Sequence, residues 1–344
     1  RIQQIALPHA LAGRDIMGAA KTGSGKTLAF LVPVLELLYR EKWGRQDGLG
    51  ALVISPTREL ALQIYGVLRD LCTYHSQTHG LVIGGANRRT EAEKLCKGVN
   101  ILVATPGRLL DLIEQRFVSL AMLEILVLDE ADQMMDLGFI HALKKIVRMV
   151  PRKRQTLFFS ATMPTSIREL AGQFLNDPAT VSIKPAATTA ERVDQYVTFV
   201  NQGEKQALLT ITLGDPAIDR ALVFTRTKHG ADRVVKLLAG NGIASNAIHG
   251  NKSQPQRERA LAAFKSGDVP ILVATDIAAR GIDVSGVSHV INFELPNVAE
   301  QYVHRIGRTA RAGASGIAVA FCADDEKPYL RDIERLTRQK ITVT

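Results

Sequence analysis

A glycine-rich segment near the start of the chain has the residue types that bind nucleoside phosphates. The segment Ala20-Lys21-Thr22-Gly23-Ser24-Gly25-Lys26-Thr27 follows a short strand predicted around 16–18 and opens a helix predicted to reach about Tyr39. Glycines let backbone N–H groups approach phosphate oxygens, and the helix N-terminus adds a favourable dipole. Lys26 is expected to reach the β- and γ-phosphates, and the Thr27 hydroxyl to coordinate Mg²⁺. An accidental glycine-rich turn is the alternative, but the order strand, loop and helix favours a phosphate loop.

Two carboxylates follow a second apolar run. The run 123–128 predicts a buried parallel strand, and Asp129 and Glu130 come directly after it. Open α/β sheets place their ligands at the carboxyl ends of their strands. Asp129 is therefore expected to hold Mg²⁺ through water, and Glu130 to orient and deprotonate an attacking water. A helix cap is the alternative role for such a pair.

Strand-like and helix-like segments that would position these residues alternate along both halves of the chain. In the first half the pattern predicts strands at 51–55, 81–83, 101–104, 125–128 and 156–159, and helices at 57–72 and 140–150. In the second half it predicts strands at 195–200, 221–224, 244–248, 271–274, 289–292 and 316–321, and helices at 228–238, 255–265 and 325–338. This alternation predicts an α/β fold in which each half is a parallel sheet flanked by helices. We expect an N-terminal domain over 1–184, a linker over 185–191 and a C-terminal domain over 192–344.

The composition narrows the class of protein and its partners. A chain of 344 residues is long enough for two domains, and 46% hydrophobic with 22% charged residues is ordinary for a globular protein. The net charge of +9 makes a polyanion a candidate partner, with a solvated basic surface as the alternative. The scattered cysteines Cys72, Cys96 and Cys322 predict free thiols in a reducing compartment. No apolar stretch approaches the length of a membrane span, so we expect a cytoplasmic chain with no membrane partner.

Further short motifs accompany the phosphate loop and Asp129-Glu130-Ala131-Asp132. In chain order they are Pro56-Thr57-Arg58-Glu59-Leu60-Ala61, Gly84-Gly85, Thr105-Pro106-Gly107-Arg108, Ser160-Ala161-Thr162, Gln254-Pro255-Gln256-Arg257, Ala279-Arg280-Gly281-Ile282-Asp283 and His304-Arg305-Ile306-Gly307-Arg308-Thr309-Ala310-Arg311. Several are weak signals singly, but in this order they are specific. With them the chain resembles the DEAD-box ATP-dependent RNA helicases over essentially its whole length. The segments 224–230 and 274–281 look most like the bacterial RhlE-like subgroup.

The resemblance implies two tandem RecA-like domains that close around ATP and RNA. It implies that Gln3 reads adenine, while the family's base-stacking aromatic residue would lie before Arg1. The residues that it places on ATP are Gln3, Thr22, Gly23, Ser24, Gly25, Lys26, Thr27, Asp129, Gly281 and Asp283. Arg308 and Arg311 match arginine fingers that reach the γ-phosphate, and they would join Lys26 and Glu130 in catalysis. A surface helix with solvated arginines is the alternative for that pair.

The resemblance also implies contacts to RNA that carry little base information. The residues implied are Pro56, Thr57, Arg58, Gly84, Gly85, Thr105, Arg108, Arg226, Gln254, Arg257 and Thr275. Their hydroxyl groups, guanidinium groups and open backbone suit phosphate and sugar contacts. For Gly84-Gly85 a plain turn is the alternative, and Thr105-Pro106 has the residue types of an ordinary helix start. The residues implied to couple the ATP site to RNA are Asp132, Ser160, Thr162, Arg280 and His304.

The function implied by the resemblance is RNA-stimulated ATP hydrolysis that drives local, non-processive unwinding of RNA duplexes or remodelling of RNA–protein complexes. An ATP-gated RNA clamp with little unwinding has the same motifs and stays open as an alternative. A DNA helicase or a transport ATPase on the same fold is a third possibility, although the sequence lacks the transporter-type LSGGQ run. We expect a monomer that uses ATP and Mg²⁺ and binds single-stranded RNA and short duplexes. Protein partners are expected to act through flanking tails outside this sequence.

Overall fold

The computed structural model describes residues 1–20, 24–182, 193–279, 286–310 and 316–344. The chain folds into two compact units, Arg1–Lys184 and Pro185–Thr344. The linker predicted over 185–191 lies outside the described residues and stays a prediction. In the described ranges, no helix combines the length and apolar character needed to cross a bilayer. All three cysteines are free thiols.

The first unit is a parallel sheet flanked by helices. Its described strands are β1 (Ile16–Ala19), β2 (Ala51–Ile54), β3 (His79–Val82), β4 (Ile101–Ala104), β5 (Ile125–Leu128), β6 (Gln155–Ser160) and β7 (Ala179–Ser182). Its described helices are α1 (Ile2–Leu11), α2 (Lys26–Arg40), α3 (Arg58–Leu71), α4 (Arg88–Cys96), α5 (Pro106–Glu114), α6 (Ala131–Asp136), α7 (Ile140–Met149) and α8 (Thr165–Phe174). The strand order across the sheet is β3-β4-β2-β5-β6-β1-β7.

Both faces of this sheet are covered by apolar side chains, which explains the unbroken apolar runs of its central strands. Every residue of β2, β4 and β5 is buried. Successive side chains along a strand point to opposite faces. Val53 accordingly packs in a core with residues of α2 and α3, whereas Leu52 packs in a second core with residues of α5 and α7. Because all pairings are parallel, the carboxyl ends of the strands meet at one edge of the sheet.

The second unit repeats this architecture. Its described strands are β8 (Val193–Phe199), β9 (Ala221–Thr225), β10 (Ser245–Ile248), β11 (Ile271–Thr275), β12 (His289–Asn292), β13 (Gly316–Cys322) and β14 (Thr342–Val343). Its described helices are α9 (Lys205–Leu213), α10 (Lys228–Gly240), α11 (Gln254–Ser266), α12 (Asp276–Ala279), α13 (Ala299–Ile306) and α14 (Lys327–Thr337). The order is β10-β11-β9-β12-β13-β8-β14, again with parallel pairing.

The fold class expected from the sequence is confirmed, with two parallel sheets of seven strands each in the described residues. The strands predicted at 101–104, 125–128 and 289–292 have the observed bounds, and the ends of the other predicted elements lie within two residues of the observed ones. The edge strands β7 and β14 were not predicted. Two consecutive exposed residues, Thr342 and Val343, form β14 by pairing with Tyr196 and Val197.

Candidate functional sites

The phosphate-loop residues that the structure describes lie where β1 passes into α2. Lys26 is the first residue of α2, and Gly25 before it has a left-handed backbone with φ of 89°. The side chain of Gln3 donates from Nε2 to the Gly25 carbonyl at 3.2 Å. The left-handed backbone favours glycine here, and a Cβ atom at Gly25 would lie 2.5 Å from that Nε2 and displace the Gln3 amide. Thr27 is half-buried, and Thr22 and Gly23 lie outside the described residues.

Lys26 meets both predicted carboxylates at the end of β5. Its Nζ lies 2.9 Å from Glu130 Oε1 and 3.5 Å from Asp129 Oδ1, and none of the three side chains is more than 5% exposed. Glu130 Oε2 accepts a hydrogen bond from the side-chain amide of Gln133. Glu130 itself has a left-handed backbone, φ 56° and ψ 51°, immediately before α6. The structure therefore brings the phosphate-loop lysine and the acidic pair into one buried cluster.

Burial and charge act against each other on this cluster. Burial alone would lower the pKa of Lys26, but the Asp129 and Glu130 carboxylates outweigh it and raise that pKa above its usual range. Burial raises the pKa of Asp129 to about 6, with Glu130 adding to the rise and Lys26 opposing it. Lys26 is consequently a cation, and Asp129 becomes harder to ionise than an exposed aspartate.

The oxygen atoms of this cluster fit a hard cation. No described residue donates a hydrogen bond to the buried Asp129 Oδ1 or to the buried Ser24 Oγ. Mg²⁺ prefers oxygen ligands and usually takes one or two from protein, with water and phosphate oxygens for the rest. Within the described residues there is no cluster of three or more His, Cys, Asp or Glu side chains that could hold a metal. Asp129 and Thr27 are thus a sparse ligand set of the kind Mg²⁺ accepts.

Asp132 links the start of α6 to the end of β6. Its backbone N–H donates to Ser160 Oγ at 3.2 Å. Its carboxylate accepts from the Thr162 hydroxyl at 2.8 Å and from the Thr162 N–H at 3.0 Å. Asp132 therefore fixes the segment after β6 to the acidic motif. Arg280, a predicted coupling residue of the second unit, lies outside the described residues.

The predicted RNA-facing residues of the first unit gather beside β3. Gly85 has a φ of 84°, and Cβ atoms at Gly84 and Gly85 would lie 3.2 and 2.7 Å from guanidinium nitrogens of Arg58. Arg58 therefore packs against the backbone of both glycines, and contact of this doublet with RNA stays a prediction. Pro56 is buried, and Thr57 caps α3 by accepting from the Leu60 N–H at 3.3 Å.

Thr105 and Arg108 have more structural roles than the sequence indicates. Thr105 precedes α5, whose first residue is Pro106, but its hydroxyl accepts from the Gly84 N–H at 3.4 Å and does not cap the helix. Arg108 is 9% exposed; it donates to the Ala86 carbonyl at 3.0 Å and lies 3.5 Å from Glu91 Oε2. Glu91 also accepts from the Ile83 N–H at 2.9 Å. Arg108 and Glu91 thus bind the backbone of the residues on either side of the glycine doublet. No sequence motif predicted Glu91.

In the second unit the predicted RNA-facing residues lie at the carboxyl ends of strands or just after them. Arg226 follows β9, and Thr275 is the last residue of β11. Gln254 and Arg257 lie in the first turn of α11, where both are 7% exposed. Among these four residues, only Arg226 keeps a quarter of its side chain exposed. Contact with a polyanion by Gln254 or Arg257 would therefore involve few atoms of each side chain.

A buried arginine that the sequence interpretation missed organises the motif 304–311. Arg305 is 1% exposed and binds Asp276 with two hydrogen bonds of 2.6 and 2.7 Å. Its guanidinium also lies 5.0 Å from the ring centroid of Phe224. His304 and Arg308 line a pocket beside this pair, and Arg308 Nε donates to the His304 carbonyl at 3.2 Å. Asp276 follows the apolar strand β11 as Asp129 follows β5, so the same signal could have found it. Gly281, Asp283 and Arg311 lie outside the described residues.

Comparison with known proteins gives the family. Residues 1–170 match the DEAD/DEAH box helicase family, and residues 212–313 match the helicase conserved C-terminal domain family. The chain is 43% identical over 342 residues to the ATP-dependent RNA helicase CshA of Limosilactobacillus reuteri, which covers 99% of this chain and 68% of that protein. It is 43% identical over 348 residues to the probable ATP-dependent RNA helicase ddx17 of Dictyostelium discoideum, which covers 99% of this chain and 44% of that protein.

The fold comparison agrees with the sequence comparison. The structure of S. cerevisiae Dbp5 bound to RNA and ADP BeF3 matches with a TM-score of 0.87 and 28% identity, covering 100% of this chain and 89% of that one. The two parallel sheets and the match to both helicase families place the chain among nucleotide-dependent helicases. The chain belongs to the DEAD-box family of ATP-dependent RNA helicases. The RhlE-like subgroup stays a prediction.

Proposed function

We propose that this chain is the catalytic core of an RNA helicase that hydrolyses ATP in response to RNA and uses the energy to separate short duplexes or remodel RNA–protein complexes. The chain spans 44% to 68% of the length of the two relatives compared above, so activities that depend on their other segments are outside this proposal. The observation that carries it is the buried cluster of Lys26, Asp129 and Glu130 at the N-terminus of α2. A cation and two carboxylates at a helix N-terminus match the charges of a nucleoside triphosphate and its metal.

Each residue of the cluster has a chemical task suited to its contacts. Lys26, cationic even when buried, would exchange its carboxylate partners for phosphate oxygens. Bound through Thr27 and Asp129, Mg²⁺ would supply positive charge to the phosphates. Glu130 is held by Lys26 on one oxygen and by Gln133 on the other, which fixes the carboxylate that would orient a water and accept its proton. Gln3, through its bond to Gly25, would tie base recognition to the phosphate loop.

Residues of both units would bind RNA through its sugar–phosphate backbone. Arg58 is half-buried and lies against Gly84 and Gly85, of which Gly85 is exposed, so a phosphate that approached Gly85 would also meet the guanidinium group. Arg226 offers a partly exposed guanidinium in the second unit. Such contacts recognise the sugar–phosphate chain and not the bases, so we propose binding with little sequence preference. The names of two relatives, ATP-dependent RNA helicases, and the RNA in the Dbp5 structure favour RNA over DNA.

We expect Asp132 to connect the ATP site with the RNA site. Its carboxylate holds Thr162 and its backbone N–H binds Ser160, and it lies two residues after Glu130 of the ATP site. The contribution of Arg308 and Arg311 to hydrolysis, and that of His304 and Arg280 to coupling, stay predictions. Monomeric state and cytoplasmic location stay predictions as well.

The direct test measures ATP hydrolysis by the chain with no nucleic acid, with single-stranded RNA and with single-stranded DNA of the same sequence. We expect stimulation by RNA, its loss in Lys26→Ala, and its loss when Mg²⁺ is removed with a chelator. Hydrolysis that RNA does not change would refute the proposal. Measuring duplex separation beside ATP-dependent RNA retention then distinguishes a helicase from an RNA clamp, since a clamp retains RNA without separating strands.

A further inference from the structure

A buried lysine of the second unit is linked through one carboxylate to Arg226, the partly exposed arginine that follows β9. Lys205, the first residue of α9, and Glu326, just before α14, form an ion pair in which both side chains are 0% exposed. Lys205 Nζ also donates to the carbonyls of Phe293 at 2.9 Å and Phe321 at 3.1 Å. An ammonium group has three N–H donors, and these three acceptors use all of them. The positive charge of Lys205 is therefore fixed in place.

Glu326 is held as firmly as its partner. Its Oε2 accepts from Lys205 and from the Ala323 N–H at 3.0 Å. Its Oε1 accepts from the Leu295 N–H at 3.2 Å and lies 3.4 Å from Nη2 of Arg226. The Glu326 carboxylate thus joins Lys205 to Arg226. Among the described RNA-facing residues predicted in this unit, Arg226 has the most exposed side chain.

Arg226 is held by several contacts, most of which are long. Its backbone N–H donates to Glu294 Oε2 at 2.8 Å, and its Nη2 lies 3.8 Å from Glu294 Oε1. Nη1 donates to Asn297 Oδ1 at 3.4 Å, and the guanidinium lies 6.0 Å from the ring centroid of Tyr329. These contacts to the side chain are long for charge-assisted hydrogen bonds, which are typically about 2.7–2.9 Å. The guanidinium is consequently oriented without being tightly bound.

We propose that Lys205 and Glu326 are positioning residues that present the Arg226 guanidinium to an RNA phosphate. This inference rests on the proposed function, in which Arg226 contacts RNA. Lys205 neutralises Glu326, so Glu326 orients Arg226 while leaving its remaining donors available to a phosphate. Without Lys205, the buried carboxylate would have Arg226 as its remaining cationic partner and would compete with the phosphate for it. Lys205 thereby governs RNA affinity from a position that RNA cannot touch.

The experiment compares RNA binding, in the presence of a non-hydrolysable ATP analogue, for the wild type, Lys205→Met, Arg226→Met and the combination Lys205→Met with Arg226→Met. We expect Lys205→Met to weaken RNA binding about tenfold, as expected for loss of a hydrogen bond to a charged group. The slope of log affinity against log salt concentration should fall by about 0.7 in Lys205→Met and in Arg226→Met, the value for one phosphate contact to a single strand. The combination should bind no more weakly than Arg226→Met alone.

A second variant covers the case in which Lys205→Met does not fold because a lone carboxylate is buried. Lys205→Met with Glu326→Gln removes both charges at similar volume. The competing carboxylate is then gone, but so is the carboxylate that orients the guanidinium, so the salt slope should still be lower than that of the wild type. Tyr302→Phe is the matched control: it removes another buried hydrogen bond of the unit, from the Tyr302 hydroxyl to Gln195 Oε1 at 3.1 Å. It should leave the salt slope unchanged.

ATPase measurements separate positioning from general loss of structure. Both Lys205 variants should need more RNA for half-maximal stimulation, while the maximal rate at saturating RNA stays within about twofold of the wild type. The inference would be overturned if Arg226→Met weakened RNA binding while both Lys205 variants left it unchanged. It would also be overturned if the loss of affinity caused by Lys205→Met added to the loss caused by Arg226→Met. ATP hydrolysis by the wild type that does not respond to RNA would instead overturn the proposed function, and this inference with it.

Discussion

Replacing Lys26 with methionine should destabilise the first unit as well as abolish ATP turnover. Methionine keeps most of the volume of the side chain and removes its charge. Asp129 and Glu130 would then share a buried site without the cation that lies 3.5 and 2.9 Å from their oxygens. Buried like charges without compensation are costly, so the nucleotide-free chain should unfold more easily.

The expected loss is about 3–5 kcal/mol in the free energy of unfolding. At an effective dielectric constant of about 20, the attraction between Lys26 and the nearer carboxylate is about 6 kcal/mol before the cost of burying the ammonium is subtracted. Removing one partner of a buried ion pair typically costs about 3–5 kcal/mol. The loss cannot exceed the cost of protonating Asp129, because the folded variant can take up a proton instead of burying two charges. Protonating Asp129, whose ordinary pKa is 3.8, costs about 5 kcal/mol near pH 7.5 at about 1.36 kcal/mol per pH unit.

Urea unfolding followed by tryptophan fluorescence measures this loss. Trp43 is the single tryptophan of the sequence, lies in the first unit and donates from Nε1 to the Gly48 carbonyl at 3.0 Å, so its signal reports on that unit. Lys145→Met is the matched control, because the ion pair of Lys145 with Glu114 has side chains that are 51% and 58% exposed. That control should lose less than about 1 kcal/mol.

The loss should shrink when Glu130 is already replaced by glutamine, because less negative charge is then left without a partner. Two results would refute the reasoning. One is a Lys26→Met variant that loses no more stability than Lys145→Met. The other is a loss of the same size in the Glu130→Gln background as in the wild type.

Three further predictions concern the same sites. Asp129→Asn should raise the urea midpoint at pH 8 and not at pH 3. Because the pKa of Asp129 is raised in the folded state, the folded wild type binds more protons than the unfolded chain between pH 3.8 and about 6, and its stability falls as pH rises through that window. An equal effect of the substitution at both pH values would contradict this. Glu130→Gln should still bind ATP and RNA in equilibrium assays but hydrolyse ATP about 10²- to 10⁴-fold more slowly, and unchanged hydrolysis would remove Glu130 from its role as base. Gly85→Ala should weaken RNA binding by displacing Arg58, while the affinity for ATP measured without RNA stays unchanged. Gly66→Ala is the control, because its Cβ would enter open space, and it should alter neither affinity. Equal RNA binding by the two variants would count against the proposed contact.

The strands buried on both faces were predictable because their identity depends on their own residues. The runs that became β4 and β5 are apolar throughout, and every residue in them is buried. The edge strand β14 could not be predicted in this way, since Thr342 and Val343 are exposed and become a strand only through the backbone of β8. Edge pairing is a long-range property that local composition does not carry.

The candidate site divides in the same manner. Motifs predicted a shared site for Lys26, Asp129 and Glu130, which belong to ordered patterns, and the three side chains meet in the structure. Asp132 was expected to link to His304 or to Ser160-Ala161-Thr162, and it holds Thr162. The motifs did not predict that Arg305 would be buried against Asp276. Such partners come from distant parts of the chain, and a polar residue gives no sign in sequence of whether folding will bury it. The supporting residues around a site are therefore harder to predict than the reacting ones.

The left-handed backbone of Glu130 bears on laboratory evolution of this chain. For a residue other than glycine that conformation costs roughly 1–2 kcal/mol, and glycine at position 130 would avoid the strain. Glu130→Gly would relieve that strain, but it would also take from Lys26 the nearer of its two buried carboxylates, a loss of about 3–5 kcal/mol that exceeds the gain. A library screened only for resistance to heat should therefore retain Glu130, so selection for stability alone would preserve the residue that we propose as the base.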